Sequence, residues 1–126
     1  MIKTTLLVFT IAVAAMAFNW KEKNPTDDLV VMPENVKTVV DNKCYGCHSP
    51  ESKSDKAKNK LMWDDLNKLS KIKIISTLDA ISEVTEKGEM PPEKFLESHP
   101  EKKLTDEEAK LLKEWAISSA EKILGD

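Results

Sequence analysis

Both cysteines of this chain lie in one pentapeptide, Cys44-Tyr45-Gly46-Cys47-His48, and this motif limits the possible folds more than any other feature. Two thiols separated by two residues and followed directly by a histidine are typical of covalent attachment of a c-type haem. In such a site each thiol forms a thioether with a haem vinyl group, and His48 binds the iron as the proximal ligand. The motif predicts one covalently attached haem c, with a small domain packed around it.

Three other interpretations of the motif remain open. A thioredoxin-like redox pair has the same cysteine spacing but belongs to a βαβ unit, whereas the flanking sequence here is helical and polar. A structural zinc ion needs four ligands, and the available nitrogen and sulfur donors are Cys44, Cys47, His48 and the distant His99, at spacings unlike those of zinc fingers. A disulfide is compatible with an oxidising compartment but does not use the histidine.

Residues 1–17 have the features of a signal peptide. A polar start with Lys3 is followed by the apolar run Leu6 to Ala17, which ends in the small-x-small pattern Ala15-Met16-Ala17. This pattern predicts cleavage before Phe18 and export to the periplasm of a Gram-negative bacterium, where c-type haem is attached. The apolar run is shorter than the roughly 20 residues that span a bilayer. Membrane association is therefore expected only if the segment is retained.

The rest of the chain is the length of one small domain. Residues 18–32 contain Asn24-Pro25-Thr26-Asp27-Asp28 and no sustained periodicity, which predicts a flexible tether, and residues 33–126 form the predicted domain. All 19 basic residues are lysines, and removal of Lys3 changes the formal net charge from -3 to -4. This mild acidity argues against nucleic acid as a partner.

The hydrophobic spacing predicts an all-α fold. Pro33 suits the first turn of a helix, on which Val36, Val40, Cys44 and Cys47 would share one face. Residues 49–60 are polar and lysine-rich, which indicates an exposed loop or short turn, and one or two helical turns around Trp63 follow.

Two longer helices complete the prediction. The first runs from Lys71 to Lys87 and is ended by Gly88, because glycine readily adopts the left-handed conformation after a helix. The second begins with a capping box at Thr105 and runs to about Leu124, where Gly125 ends it. Its predicted inner face comprises Leu112, Trp115, Ala116, Ser119 and Ile123.

The distal iron ligand is expected on the loop between these two helices. Met90 lies in Glu89-Met90-Pro91-Pro92, and a thioether on a proline-stiffened loop suits iron in both oxidation states. His99 is the rival, because histidine–histidine ligation is common in haem proteins. Met32 and Met62 are further thioethers, but neither lies on a constrained loop.

The order of an attachment motif, a Met-Pro loop and a Leu-Thr-x-Glu-Glu helix resembles that of class I monohaem cytochromes c. More narrowly, residues 44–49, 87–92 and 99–105 resemble the small exported haem-binding domain family. The resemblance covers about Pro33 to Trp115 and implies His48 as the proximal ligand and Met90 as the distal one. Members usually carry an aromatic Pro-Trp-Tyr-like segment where this chain has the lysine-rich Glu51 to Lys60. No proline spaced as in the better-known cytochromes is present to accept the His48 ring N–H, so the sequence does not identify that acceptor.

The expected function is that of a one-electron carrier that meets other redox proteins. An iron with both axial positions filled offers no site for a substrate, so no enzymatic activity is expected. The alternative is a haem-based sensor or ligand-binding protein with a displaceable distal ligand. A small peroxidase would need an open distal site with an acid–base group, for which His99 is the one remaining imidazole.

Overall fold

The computed structural model describes residues 28–126, so the predicted signal peptide and residues 18–27 of the predicted tether lie outside it. The all-α prediction is confirmed, because the described residues form helices and no strand. Five α-helices occur in this part of the chain: α1 (Glu34–Lys43), α2 (Asp55–Lys60), α3 (Lys71–Glu86), α4 (Glu93–Leu96) and α5 (Asp106–Gly125). Short 3-10 helices cover Trp63–Lys68 and Pro100–Lys102.

Helices α3 and α5 form the centre of the fold. They pack antiparallel, since Glu86 at the end of α3 pairs with Lys113 in the first half of α5. The side chains predicted to line the inner face of α3 are Ile74, Leu78, Ile81 and Val84. These residues and the predicted inner face of α5 are buried, except that Val84 and Ser119 are only half-buried. Ile74 and Leu78 of α3 are fully buried, at 0% exposure each. These two helices bury the largest apolar faces of the described chain and hold the rest of the fold.

Helix α1 packs against α5 and carries the attachment motif at its end. Val36 and Val40 belong to the same buried cluster as Trp115 of α5. The indole N–H of Trp115 donates a hydrogen bond of 3.0 Å to the carbonyl of Val31, just before the helix. Trp115 therefore joins α5 to the segment that leads into α1.

The predicted first helix is too long at both ends. Pro33 is the N-cap residue in an extended conformation, and α1 ends at Lys43. The amides of Cys47 and His48 both donate to the carbonyl of Cys44, which closes tight turns instead of continuing the helix. Cys44 and Cys47 therefore lie on a turn after α1, in which the carbonyls of Val40 and Cys44 each accept hydrogen bonds from two amides.

The polar segment after His48 contains a helix where the sequence predicted a loop or turn. The hydroxyl of Ser54 accepts a hydrogen bond from the Ala57 amide and so caps α2. Asp55 in the first turn and Lys58 in the last complement the helix dipole. The helix buries none of its residues, whereas Ser49 and Ser52 before it are buried, so the predicted exposure holds for the helix but not for all of residues 49–60.

The ends of the long helices agree closely with the sequence prediction. Helix α3 ends at Glu86, and Gly88 has a φ of 65°, in the left-handed region. The capping box of α5 is present, with Thr105 and Glu108 bonded reciprocally. Helix α5 continues through Gly125, one residue beyond its predicted end.

Residues 28–32 are part of the predicted tether but are attached to the fold. Val30 is buried, its N–H donates to Asn67 Oδ1 at 2.9 Å, and its carbonyl accepts from Asn67 Nδ2 at 2.9 Å. This pair of hydrogen bonds satisfies the backbone of a segment that has no periodicity of its own. Within residues 28–126, no helix combines the length and hydrophobicity needed to cross a membrane.

Candidate haem site

Residues 44–48, which we call the attachment turn, place both thiols directly after α1. Cys44 and Cys47 are half-buried, and neither forms a disulfide. Burial raises the pKa of the Cys44 thiol from 9.0 to about 11, and the negative charges that Cys47 and Glu108 can carry add to this effect. Cys44 is thus held as the neutral thiol on the inner side of the turn.

The ring of His48 is oriented by two backbone carbonyls. Its Nδ1 lies 3.0 Å from the carbonyl oxygen of Ala57 and 2.9 Å from that of Leu61. Both carbonyls can only accept, so the neutral ring carries its hydrogen on Nδ1 and donates it to them. The lone pair of Nε2 is then available for a metal ion, and the hydrogen bonds at Nδ1 raise the basicity of that ligand.

The Ala57 carbonyl belongs to the lysine-rich segment Glu51 to Lys60, and the Leu61 carbonyl follows it directly. The amide of Leu61 donates to Ala57, which closes the last turn of α2 and holds the two carbonyls together. The amide of Trp63 donates to the carbonyl of His48 at 3.1 Å. Sequence reasoning missed these partners of His48, and the one signal for them was the helix start at Ser54-Asp55.

Tyr45 lies on the same turn, and its side chain contacts Asp64. The Tyr45 hydroxyl donates to Asp64, with distances of 2.9 and 3.1 Å to the two carboxylate oxygens. This hydrogen bond raises the pKa of Tyr45, so the hydroxyl keeps its proton. Together with the Trp63 amide, it fixes the attachment turn to the 3-10 helix Trp63–Lys68.

Met90 lies outside these contacts, on the loop that follows Gly88. The amide of Glu89 returns to the carbonyl of Val84, and Met90 is 38% exposed while the next residue, Pro91, is buried. The chain then re-enters a helix at Glu93, so the predicted extended loop is interrupted by α4. The distal role of Met90 stays a prediction.

His99 is exposed and makes contacts within its own loop. Its ring stacks on Phe95, with centroids 4.4 Å apart, and its Nδ1 lies 3.1 Å from the Ser98 hydroxyl. His99, the fourth donor in the zinc interpretation, therefore makes its contacts within its own loop. Among residues 28–126 no three His, Cys, Asp or Glu side chains form a group that could hold a metal ion.

The donor set of the turn fits a c-type haem. Two free thiols are available for thioether bonds, and the adjacent imidazole presents Nε2 while its Nδ1 faces carbonyls. The indole N–H of Trp63 is buried without an acceptor in the described part of the chain, which leaves a donor for a bound polar group near His48. The described residues form no βαβ unit for a thioredoxin-like pair.

Comparison with known proteins supports this interpretation. The family model described as a haem-binding domain matches residues 51–118, which is more than half of the chain. The match begins three residues after His48, so the attachment motif lies outside it. Searches of curated proteins and of solved structures gave no match. The sequence match and the helical fold together show that the chain belongs to the haem-binding domain family and is a haem-binding protein.

Proposed function

We propose that the protein is an exported monohaem c-type cytochrome that carries one electron at a time. The observation that supports this most strongly is the His48 ring, which two carbonyls hold with Nε2 available, next to two free cysteines. Bound haem supplies reversible one-electron chemistry at its iron. The residues of the turn provide the covalent linkage and one axial ligand for it.

The contribution of His48 is to bind the iron firmly in both oxidation states. Because Ala57 and Leu61 accept from Nδ1 through backbone carbonyls, no side-chain movement is needed to keep the ring in place. Met90 is the proposed distal ligand, with His99 as the alternative. With a protein ligand on each side of the iron, outer-sphere electron transfer remains as the chemistry, and we propose no enzymatic activity.

Redox partner proteins would meet the carrier through exposed lysines. Four lysines lie on or beside the loop between α3 and α5, which we call the distal loop: Lys87, Lys94, Lys102 and Lys103. Of these, Lys87 pairs with Glu83, and Lys102 donates to the carbonyl of Asn42. Lys94 and Lys103 are exposed and suited to an acidic partner surface. The proposed docking patch therefore consists of Lys94 and Lys103 rather than of all four lysines.

The distal ligand can be tested by absorption spectroscopy of the mature protein made with c-type maturation machinery. The variants are Met90→Ala and His99→Ala, and Met62→Ala, which removes a half-buried methionine outside the loop, is the matched control. Sharp reduced bands and a long-wavelength sulfur-to-iron band are expected in the wild type. That band should disappear in Met90→Ala and persist in the other two.

Each other result contradicts a stated part of the proposal. Loss of the reduced bands in His99→Ala alone would give the distal position to His99. A spectrum unchanged in both loop variants would show that neither residue binds the iron. Absence of covalent haem in the wild type would overturn the cytochrome proposal and return Cys44 and Cys47 to thiol chemistry.

A second candidate function is a haem-based sensor, in which a small molecule displaces the distal ligand from the iron. Rapid carbon monoxide binding to the reduced wild-type protein would support the sensor. Resistance to carbon monoxide in the wild type, together with rapid binding in Met90→Ala, would support the carrier.

Attachment and export have separate tests. Haem should remain on the denatured protein through both thioethers, whereas a Cys44→Ala, Cys47→Ala double variant should lose it. Intact mass of the secreted protein is expected to correspond to a chain that begins at Phe18. A mass that includes residues 1–17 would instead indicate a retained N-terminal segment and favour membrane association.

A further inference from the structure

Two lysines join the end of α1 to the loop that precedes α5. Lys43, the last residue of α1, donates from Nζ to the carbonyl of Glu101 at 2.8 Å and to that of Lys103 at 3.0 Å. Lys102 reaches in the opposite direction and donates from Nζ to the carbonyl of Asn42 at 2.8 Å. We call these three hydrogen bonds the lysine clasp. They connect residues that are 58 and 60 positions apart in the sequence.

The ammonium group of Lys43 has three partners. Besides donating to the two carbonyls, it forms an ion pair with Glu108, whose carboxylate oxygen is 3.7 Å away, and its side chain is only 15% exposed. Two of its three N–H donors are thus used in hydrogen bonds, and the ion pair adds an electrostatic contact. Glu108 in turn accepts from the Thr105 amide within the capping box of α5. Lys43 thus connects α1, the loop and the start of α5.

The clasp connects the two halves of the proposed haem site. Lys43 directly precedes Cys44, while the loop between α3 and α5 carries both Met90 and His99. This loop has little regular structure of its own, since α4 has four residues and the 3-10 helix Pro100–Lys102 has three. Contacts with the rest of the fold must therefore fix its position, and the clasp provides three charge-assisted ones.

We infer that Lys43 and Lys102 are positioning residues that hold the distal loop against the attachment turn and so stabilise the bond between the iron and its distal protein ligand. The inference rests on the proposed function, because it needs haem on the turn and a ligand from the loop. Neither lysine touches the iron. Loss of the clasp should let external ligands compete with the distal residue more easily.

The test measures cyanide binding to the oxidised, haem-loaded protein in wild type, Lys43→Met and Lys102→Met. Methionine keeps the aliphatic length of lysine but has no N–H donors. Lys122→Met is the matched control, since Lys122 is exposed near the end of α5 and makes no hydrogen bond or ion pair with residues 28–126. Both clasp variants should bind cyanide about tenfold more tightly than wild type, as expected from the loss of charge-assisted hydrogen bonds. The control should bind like wild type.

The same substitutions in a Met90→Ala background separate positioning from general destabilisation. Once the distal ligand is absent, Lys43→Met should add no further gain in cyanide affinity. An equal gain in both backgrounds, or no gain in either clasp variant, would overturn the inference. If His99 proves to be the ligand, His99→Ala replaces Met90→Ala in this comparison.

Other outcomes would show that the proposed cytochrome function itself is wrong. A wild-type protein without covalent haem, or with a cyanide affinity equal to that of both Met90→Ala and His99→Ala, has no distal protein ligand, and the inference fails with it. A wild type with six-coordinate spectra and clasp variants that behave like Lys122→Met would overturn the positioning role alone. If Lys43→Met does not fold, Lys102→Met still tests the clasp from the other side.

Discussion

At the scale of single residues, the structure identifies the acceptors that the sequence could not provide for His48. The motif predicts that His48 binds iron, but a ligand histidine also needs a partner for its second ring nitrogen. The carbonyls of Ala57 and Leu61 serve as this partner. Backbone carbonyls carry no side-chain identity, so a sequence pattern does not reveal them.

Burial of Cys44 predicts an unusual pH dependence of its reactivity. In haem-free protein carrying Cys47→Ala, alkylation of Cys44 by iodoacetamide should have a midpoint clearly above that of the same protein in urea. Burial is the main cause of the pKa increase, from 9.0 to about 11, and remains in this variant. Because the folded state holds the proton more tightly, the stability from this thiol is present below pH 9 and lost as the pH rises toward 11.

The control for this experiment is circular dichroism, which must show that the haem-free variant is folded in native buffer. Equal alkylation midpoints in folded and urea-treated protein would show that Cys44 is not desolvated by the fold. A midpoint in the folded protein below that in urea would indicate a stabilised thiolate, opposite to the prediction.

At the scale of elements, local signals determine where the long helices begin and end. Gly88 lies at a φ of 65° just after α3, and the Thr105–Glu108 capping box begins α5. Both features act through the backbone of adjacent residues and need no tertiary partner. For this reason the sequence predicted these boundaries within one residue.

A pair of glycine substitutions tests this local control. Gly88→Ala should lower the free energy of unfolding of the haem-loaded protein by about 1 kcal/mol, since an alanine at positive φ is strained. Gly125→Ala is the matched control, because its φ is not positive and no atom lies within 4 Å of the added Cβ. Urea unfolding measures both changes. Equal losses for the two variants would show that the left-handed conformation of Gly88 is not the cause.

At the scale of the whole molecule, the α3–α5 pair carries the core and α1 with its attachment turn packs on it. The core cluster includes Val36 and Val40 of α1, Leu78 of α3, and Leu112 and Trp115 of α5. A groove of about 580 Å³ on the other side of the α3–α5 pair exposes Ile72 and Leu124, at 80% and 68%. The apolar residues of these two helices therefore differ widely in their contribution to stability.

Two leucine substitutions test this difference. Leu78→Ala in α3 should lower the free energy of unfolding by about 2–5 kcal/mol, because it leaves a cavity at a fully buried position. Leu124→Ala near the end of α5 should change it by less than about 0.5 kcal/mol, because that side chain is mostly exposed. Chemical denaturation of the haem-loaded protein measures both. A large loss for Leu124→Ala would show that the groove is covered in solution.

The sequence by itself determined the all-α class, the long helices and the residues proposed to attach haem. Each of these follows from a short pattern: a spacing of apolar residues, a cap, a glycine, or two cysteines before a histidine. It did not reveal that α1 stops before Cys44, that residues 55–60 form a helix, or that Val30 is attached to Asn67.

Only the tertiary structure decided how these pieces meet. The carbonyls at His48, the hydrogen bonds of Asn67 and the lysine clasp join residues far apart in the chain, and most of them use backbone atoms on one side. Backbone atoms are the same at nearly every position, so their pairing depends on the folded arrangement and leaves little trace in the residue types. For the candidate site the sequence therefore predicts which residues would bind haem, whereas only the fold reveals the contacts that orient them.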